Sequence, residues 1–147
     1  MKFPIINNPN AKILCEIWNT LLLNNKIEVC TDSLKGIGIT EIKLLKLCYL
    51  HPEYKIKDYL VSLSIPNSTL TNMVNRLVKR QLIERTIDTT DLRSFGLKLT
   101  KHGQDSITEH FTKEQDLFES LLSGMTDSEQ NQFLQLFSKL TESLCQR

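Results

Sequence analysis

Apolar positions recur every three or four residues through most of this chain. They give way once, near the middle, to two short β-prone runs. From Asn10 to about Leu34, the stripe Ile13, Leu14, Ile17, Trp18, Leu21 and Leu22 predicts a long helix, closed by Gly36 and Gly38. Thr40 is placed to cap a second helix, with Glu41 at its positive end. Ile42, Leu44, Leu45, Leu47, Cys48 and Leu50 leave that helix little polar face, so burial is expected, and His51-Pro52 stops it. Ile56 to Leu63 predicts a short helix with Ile56, Tyr59, Leu60 and Leu63 inward, followed by a tight break at Ser64-Ile65-Pro66. A fourth helix starts near Asn67 or Ser68 and runs to about Arg80. Leu70, Met73, Val74 and Leu77 form its apolar side, with polar residues opposite. The runs Leu82–Ile87 and Phe95–Thr100 enclose a polar Asp- and Thr-rich turn and predict a β-hairpin with a long loop. Lys101 opens a long amphipathic helix that ends at Gly124. Thr126 with Glu129 forms a capping box for a last helix, with Phe133, Leu134, Phe137, Leu140 and Leu144 inward.

The order short helix, tight turn, helix, hairpin is that of a winged helix–turn–helix. The fold class is therefore mainly α with a small β-hairpin wing. The winged domain spans residues 39–101, and helical dimerisation segments at 1–38 and 102–147 flank it. The outer helices carry more apolar surface than a small winged core covers, which predicts a second copy of the chain as the partner.

Charge sharpens this division. The net charge is +1, but residues 67–101 carry 7 Lys/Arg against 3 Asp/Glu, and residues 102–147 carry 3 against 8. A basic middle beside an acidic end points to a polyanion at the middle alone. At 147 residues the chain buries enough surface to fold without disulfides or metal. No apolar run reaches the roughly 20 residues of a membrane span. The start MKFPIINNPN lacks the pattern of a signal peptide, which predicts a cytoplasmic location and no membrane partner. Cys15, Cys30, Cys48 and Cys145 form no CxxC pair, and His51, His102 and His110 are scattered, so neither a metal site nor a cofactor is expected. Enzyme motifs are absent: no Gly-rich phosphate loop, no Gly-x-Ser-x-Gly elbow and no His-Glu-x-x-His.

Residues 65–103, IPNSTLTNMVNRLVKRQLIERTIDTTDLRSFGLKLTKHG, closely resemble the MarR/SlyA family of bacterial transcription regulators. The matching motifs are Ser68-Thr69-Leu70-Thr71, Lys79-Arg80-Gln81-Leu82-Ile83-Glu84-Arg85, Asp91-Leu92-Arg93 and Leu99-Thr100-Lys101-His102-Gly103. The resemblance implies a homodimer with interlocked terminal helices and two winged domains in successive major grooves of double-stranded DNA. It also implies a repressor, released by a small amphipathic or phenolic effector. Four departures stand out. Gln81 replaces a glycine that suits a left-handed cap, which costs about 1 kcal/mol or changes the turn. Leu92 replaces a frequent arginine, and Asn72 and Asn75 stand where arginine and aspartate are common.

Within that reading, Ser68, Thr69, Thr71, Asn72, Asn75 and Arg76 face the major groove. Asn72 is suited to adenine, and Arg76 to guanine or phosphate. Lys55, Lys57, Lys79 and Arg85 are phosphate contacts, although Arg85 also has the option of bracing the hairpin on Asp88 or Asp91. Arg93 at the wing tip, supported by Asp91, enters a minor groove. Trp18, Tyr49, Tyr59 and Phe111 line an effector pocket or are plain core. Cys15 matches in place the reactive first-helix cysteine of the family's hydroperoxide sensors. It shares a face with Trp18 and Leu22 and has only Lys12 as a nearby cation, so packing is the preferred reading over redox sensing. The competing function is a winged-helix protein–protein adaptor without DNA binding.

Overall fold

The structure is a computed structural model that describes residues 8–23, 29, 31–87 and 95–145. Its order is α1 (Pro9–Leu22), a 3₁₀ turn (Asp32–Leu34), α2 (Ile39–Leu50), α3 (Ile56–Leu63), α4 (Asn67–Lys79), β1 (Ile83–Ile87), β2 (Phe95–Leu99), α5 (Lys101–Leu122) and α6 (Asp127–Cys145). This is the expected winged helix–turn–helix order between outer helices. The strands pair antiparallel from Ile83↔Leu99 to Ile87↔Phe95.

The first helix is shorter than its expected span, which ran on to Leu34. It begins at Asn8, whose side chain accepts from the backbone N–H groups of Asn10 and Ala11, and it ends at Leu22. Thr31 is extended and buried, and its hydroxyl lies 3.2 Å from that of Ser33. A local side-chain bond of this kind competes with helix propagation, so Asp32–Leu34 forms a separate turn. The second helix starts two residues earlier than expected. Gly38, not Thr40, is its cap residue, and the Glu41 carboxylate accepts from the Gly38 N–H at 2.9 Å. The capping box at Thr126 and Glu129 forms as read: Thr126 N–H donates to Glu129 Oε2 at 2.8 Å, and Glu129 N–H donates to Thr126 Oγ1 at 3.4 Å.

Two compact units result. One comprises α2, α3, α4, the hairpin and the first half of α5; the other comprises α1, the rest of α5 and α6. The first unit has a dense core of Leu44, Leu45, Tyr59, Leu70, Val74, Leu77, Leu82 and Ile107, all but closed to solvent. Burial of α2 is one-sided: Leu44, Leu45 and Cys48 are inside, whereas Ile39 and Leu50 are exposed. In the second unit no residue of α1 is buried, and Trp18, Phe118, Leu134 and Phe137 are all about half exposed.

One junction fixes α4 to its frame. Past the end of α4, Gln81 takes a left-handed φ of 59°. Gln81 N–H donates to Val78 O at 2.9 Å and Leu82 N–H to Leu77 O at 3.0 Å, the paired bonds of a Schellman stop. Gln81 therefore adopts the left-handed turn that a glycine suits, at a conformational cost. Thr100 ties the stop to α5. Its hydroxyl donates to Gln81 O at 2.5 Å and accepts from Gly103 N–H at 2.9 Å, and its N–H donates to Leu82 O at 3.1 Å. A Cβ on residue 103 would stand 1.9 Å from the Leu82 carbonyl oxygen. The Leu-Thr-x-x-Gly motif is thus a packing device: threonine caps α5, and glycine lets α5 press against backbone.

Two substitutions check this junction by urea unfolding. Gln81→Gly should raise stability by about 1 kcal/mol, by removing the left-handed penalty. Gly103→Ala should lower it by about 1–3 kcal/mol or more, because backbone must move. A Gly103→Ala protein as stable as wild type would show that the close approach is dispensable.

Candidate nucleic-acid interface

The geometry of α4 follows from its sequence period. Leu70, Met73, Val74 and Leu77 are buried, so Ser68, Thr69, Thr71, Asn72, Asn75, Arg76 and Lys79 all fall on the exposed side. The cap residue Pro66 makes no side-chain hydrogen bond to the first amides of α4. That end therefore presents N–H groups and the positive end of the helix dipole beside Ser68 and Thr69. Ser64, ending α3, takes a left-handed φ of 51°, and Ile65 N–H reaches back to Leu60 O at 3.4 Å. This tight stop sets α3 and α4 at their turn.

The expected cations divide into free and engaged groups. Lys57 and Lys79 are exposed. Lys55 N–H donates to Asp58 Oδ2 at 2.9 Å, capping α3, and its backbone bridges to Gly96 of β2. Arg85 donates through Nη2 to Asn75 Oδ1 at 2.6 Å, and its guanidinium lies 5.1 Å from the Phe95 ring centroid. It therefore braces the hairpin against α4, with Asn75 and Phe95 as its partners. Arg76 donates through Nε to Glu41 Oε1 at 2.7 Å. Arg80, which drew no role from the sequence beyond its motif, donates through both Nη groups to Lys35 O at 2.9 and 3.0 Å. Glu41 and Arg80 were missed because their partners lie 35 and 45 residues away along the chain. Arg93 and Asp91 lie outside the described residues.

The aromatic residues assigned to a pocket divide between the two units. Tyr49 and Phe111 meet with ring centroids 5.3 Å apart, and the Lys46 ammonium sits 5.3 Å from the Phe111 centroid. Tyr59 has no exposed surface and packs edge-on against Tyr54 at 5.5 Å, as a core side chain. Trp18 belongs to the other unit, on the exposed face of α1. Cys15 is half-buried, with Asn19 Nδ2 3.4 Å from its sulfur.

Among the described residues, the thiol with a perturbed proton is Cys48, in the core beside Tyr59. Burial pushes it up to about 11, against a smaller opposing pull from the Tyr59 hydroxyl. Burial, and then the neighbouring Cys48, push the Tyr59 phenol up as well. Both groups are held in their neutral, unreactive forms.

These elements make a winged helix–turn–helix whose recognition helix presents a polar face and an open N-terminus. Residues 37–95 match the model of the MarR family. The chain is 28% identical over 114 residues to the HTH-type transcriptional repressor MdtR of Bacillus subtilis, covering 76% of this chain and 74% of that one. It is 28% identical over 137 residues to the transcriptional repressor MprA of Escherichia coli, covering 90% and 76%. Among solved structures, that of Streptococcus pneumoniae FabT in complex with DNA superposes with a TM-score of 0.77 at 23% identity, over 92% of this chain and 94% of that one. Over residues 37–95 the chain is similar to the MarR family, and it shares the winged-helix fold of the solved MarR structure.

Alkaline unfolding tests the buried pair. The unfolded chain gives up the Cys48 proton near the ordinary value of 9.0, while the folded chain keeps it to about 11. The contribution is therefore fully present below pH 9 and is lost as pH rises from 9 to 11, at up to about 1.4 kcal/mol per pH unit. Cys48→Ala should be less stable at neutral pH and lose less over that window. Parallel stability curves for the two proteins would remove burial as the source of the shift.

Proposed function

We propose that the chain is a cytoplasmic, homodimeric repressor of transcription that binds a palindromic site in double-stranded DNA. The observation that carries this reading is α4: an exposed face of Ser68, Thr69, Thr71, Asn72 and Asn75 on a rigidly stopped helix with an open N-terminus. Short polar side chains at the start of such a helix reach base edges, while amides and lysines hold phosphates. Lys55, Lys57 and Lys79 supply the backbone neutralisation, and the wing, with Arg93 supported by Asp91, enters the flanking minor groove. The winged region, 39–101, does the binding. The exposed apolar stripes of α1, the end of α5 and α6 supply a self-complementary surface for a second copy. Two relatives named as repressors, and a solved neighbour with DNA bound, support the same reading. Release by an amphipathic or phenolic effector is part of the proposal, with the tilted ring pair of Tyr49 and Phe111 as the place to look for it.

Sedimentation and binding test the two halves together. The chain should sediment at twice its 17.0 kDa. It should also select from random duplexes an imperfect palindrome with half-sites about 10 base pairs apart, centre to centre. Affinity should fall steeply with added salt as lysines displace counterions. A monomer at micromolar concentration, or selection of no sequence, would refute the corresponding half.

A further inference from the structure

Three arginines are described near the recognition helix, and each is bonded differently. Arg80 spends both Nη groups on the Lys35 carbonyl. Arg85 spends Nη2 on Asn75. Arg76 is held by Nε, on Glu41 Oε1 at 2.7 Å. Among the described residues, Arg76 alone keeps its Nη1/Nη2 edge free of hydrogen bonds.

The carboxylate that holds it is no mobile surface group. Glu41 sits in the first turn of α2 with its side chain 11% exposed, and its other oxygen accepts the Gly38 N–H at 2.9 Å. Each oxygen thus has a fixed task. Arg76 is 63% exposed, so the guanidinium is anchored at one edge and open at the other. A guanidinium is planar with a rigid fork of donors. Fixing Nε leaves the two terminal nitrogens side by side, the arrangement that meets O6 and N7 of guanine. The pairing also argues against a phosphate role. Arg76 with Glu41 is a neutral unit, and a carboxylate beside a phosphate is repelled, whereas Lys79 three residues on carries an unshared charge.

We infer that Glu41 is a positioning residue for sequence readout, holding Arg76 so that its Nη1/Nη2 edge meets a guanine in each half-site. This rests on the DNA-binding reading above. Glu41 lies outside the recognition helix and touches no base itself. Its charge lowers the general attraction to DNA while sharpening the choice of base.

Selection from random duplexes, followed by competition titrations, tests this with wild type, Glu41→Gln, Glu41→Asp and Arg76→Lys. Circular dichroism confirms that each protein is folded at the binding temperature. Wild type should prefer guanine at one position per half-site by about five- to a hundredfold. Arg76→Lys keeps the charge, loses the fork and should lose that preference. Glu41→Gln has one acceptor for two donors, and Glu41→Asp is one methylene too short to serve both. Each should lose the same preference at the same position and no other. Glu41→Gln should also bind unselected DNA more tightly, with a steeper salt dependence, because a paired cation is released. Combining it with Arg76→Lys should cost no further preference, as expected for residues acting as one unit. If a folded Glu41 variant selects the wild-type sequence unchanged, Glu41 is only a helix cap and the inference falls, while DNA binding stands. If wild type selects no sequence, both fall.

Discussion

The Leu82 carbonyl oxygen occupies the space that a side chain at residue 103 would need, and the winged unit is organised around that contact. It accepts the Thr100 N–H while α5 presses against it through Gly103. The neighbouring Gln81 carbonyl accepts the Thr100 hydroxyl, which in turn caps α5. The end of α4, the start of β1, the end of β2 and the start of α5 therefore meet within a few residues. Because the hairpin and α5 are set by the same bonds that stop α4, the recognition helix cannot rotate about its axis without breaking the junction. Its polar face is thereby fixed in direction, as reading base edges requires.

The two units obey opposite surface rules. The winged unit closes its apolar side chains around Leu44, Tyr59, Val74 and Leu77 and leaves a polar, cation-bearing helix face outside. In the other unit, α1 and α6 leave ring after ring half exposed, Trp18, Phe133 and Phe137 among them. Exposed apolar side chains of that number are costly in water. In the proposed homodimer, a self-complementary partner would offset that cost.

Much of this was legible in the residues. The periodicity of Leu70, Met73, Val74 and Leu77 specified which face of α4 is polar, and the closing threonine and glycine marked the start of α5. Gln81 was legible as a strained position because its motif calls for glycine. What stayed hidden depended on contacts distant in sequence. Nothing in the spacing of Glu41 and Arg76, or of Lys35 and Arg80, shows that they meet. A residue read as a plain helix-start glutamate is the anchor of an arginine on another helix. The first helix was read too long: its stripe, Ile13 to Leu22, ends where the helix does, and the expected span ran on to Leu34. The pocket aromatics illustrate the converse: Tyr59 has the composition of a ligand contact and the burial of a core residue.

That the outward face of α4 meets DNA while its inward face stays locked is most directly read by NMR during titration with the selected duplex. The side-chain amides of Asn72 and Asn75 and the backbone amides of Ser68 and Thr69 should show the largest shifts. The methyl groups of Leu70, Val74 and Leu77 should hold their positions. Shifts concentrated on α6, or a core methyl pattern that changes with the duplex, would contradict both the interface and the rigidity of its frame.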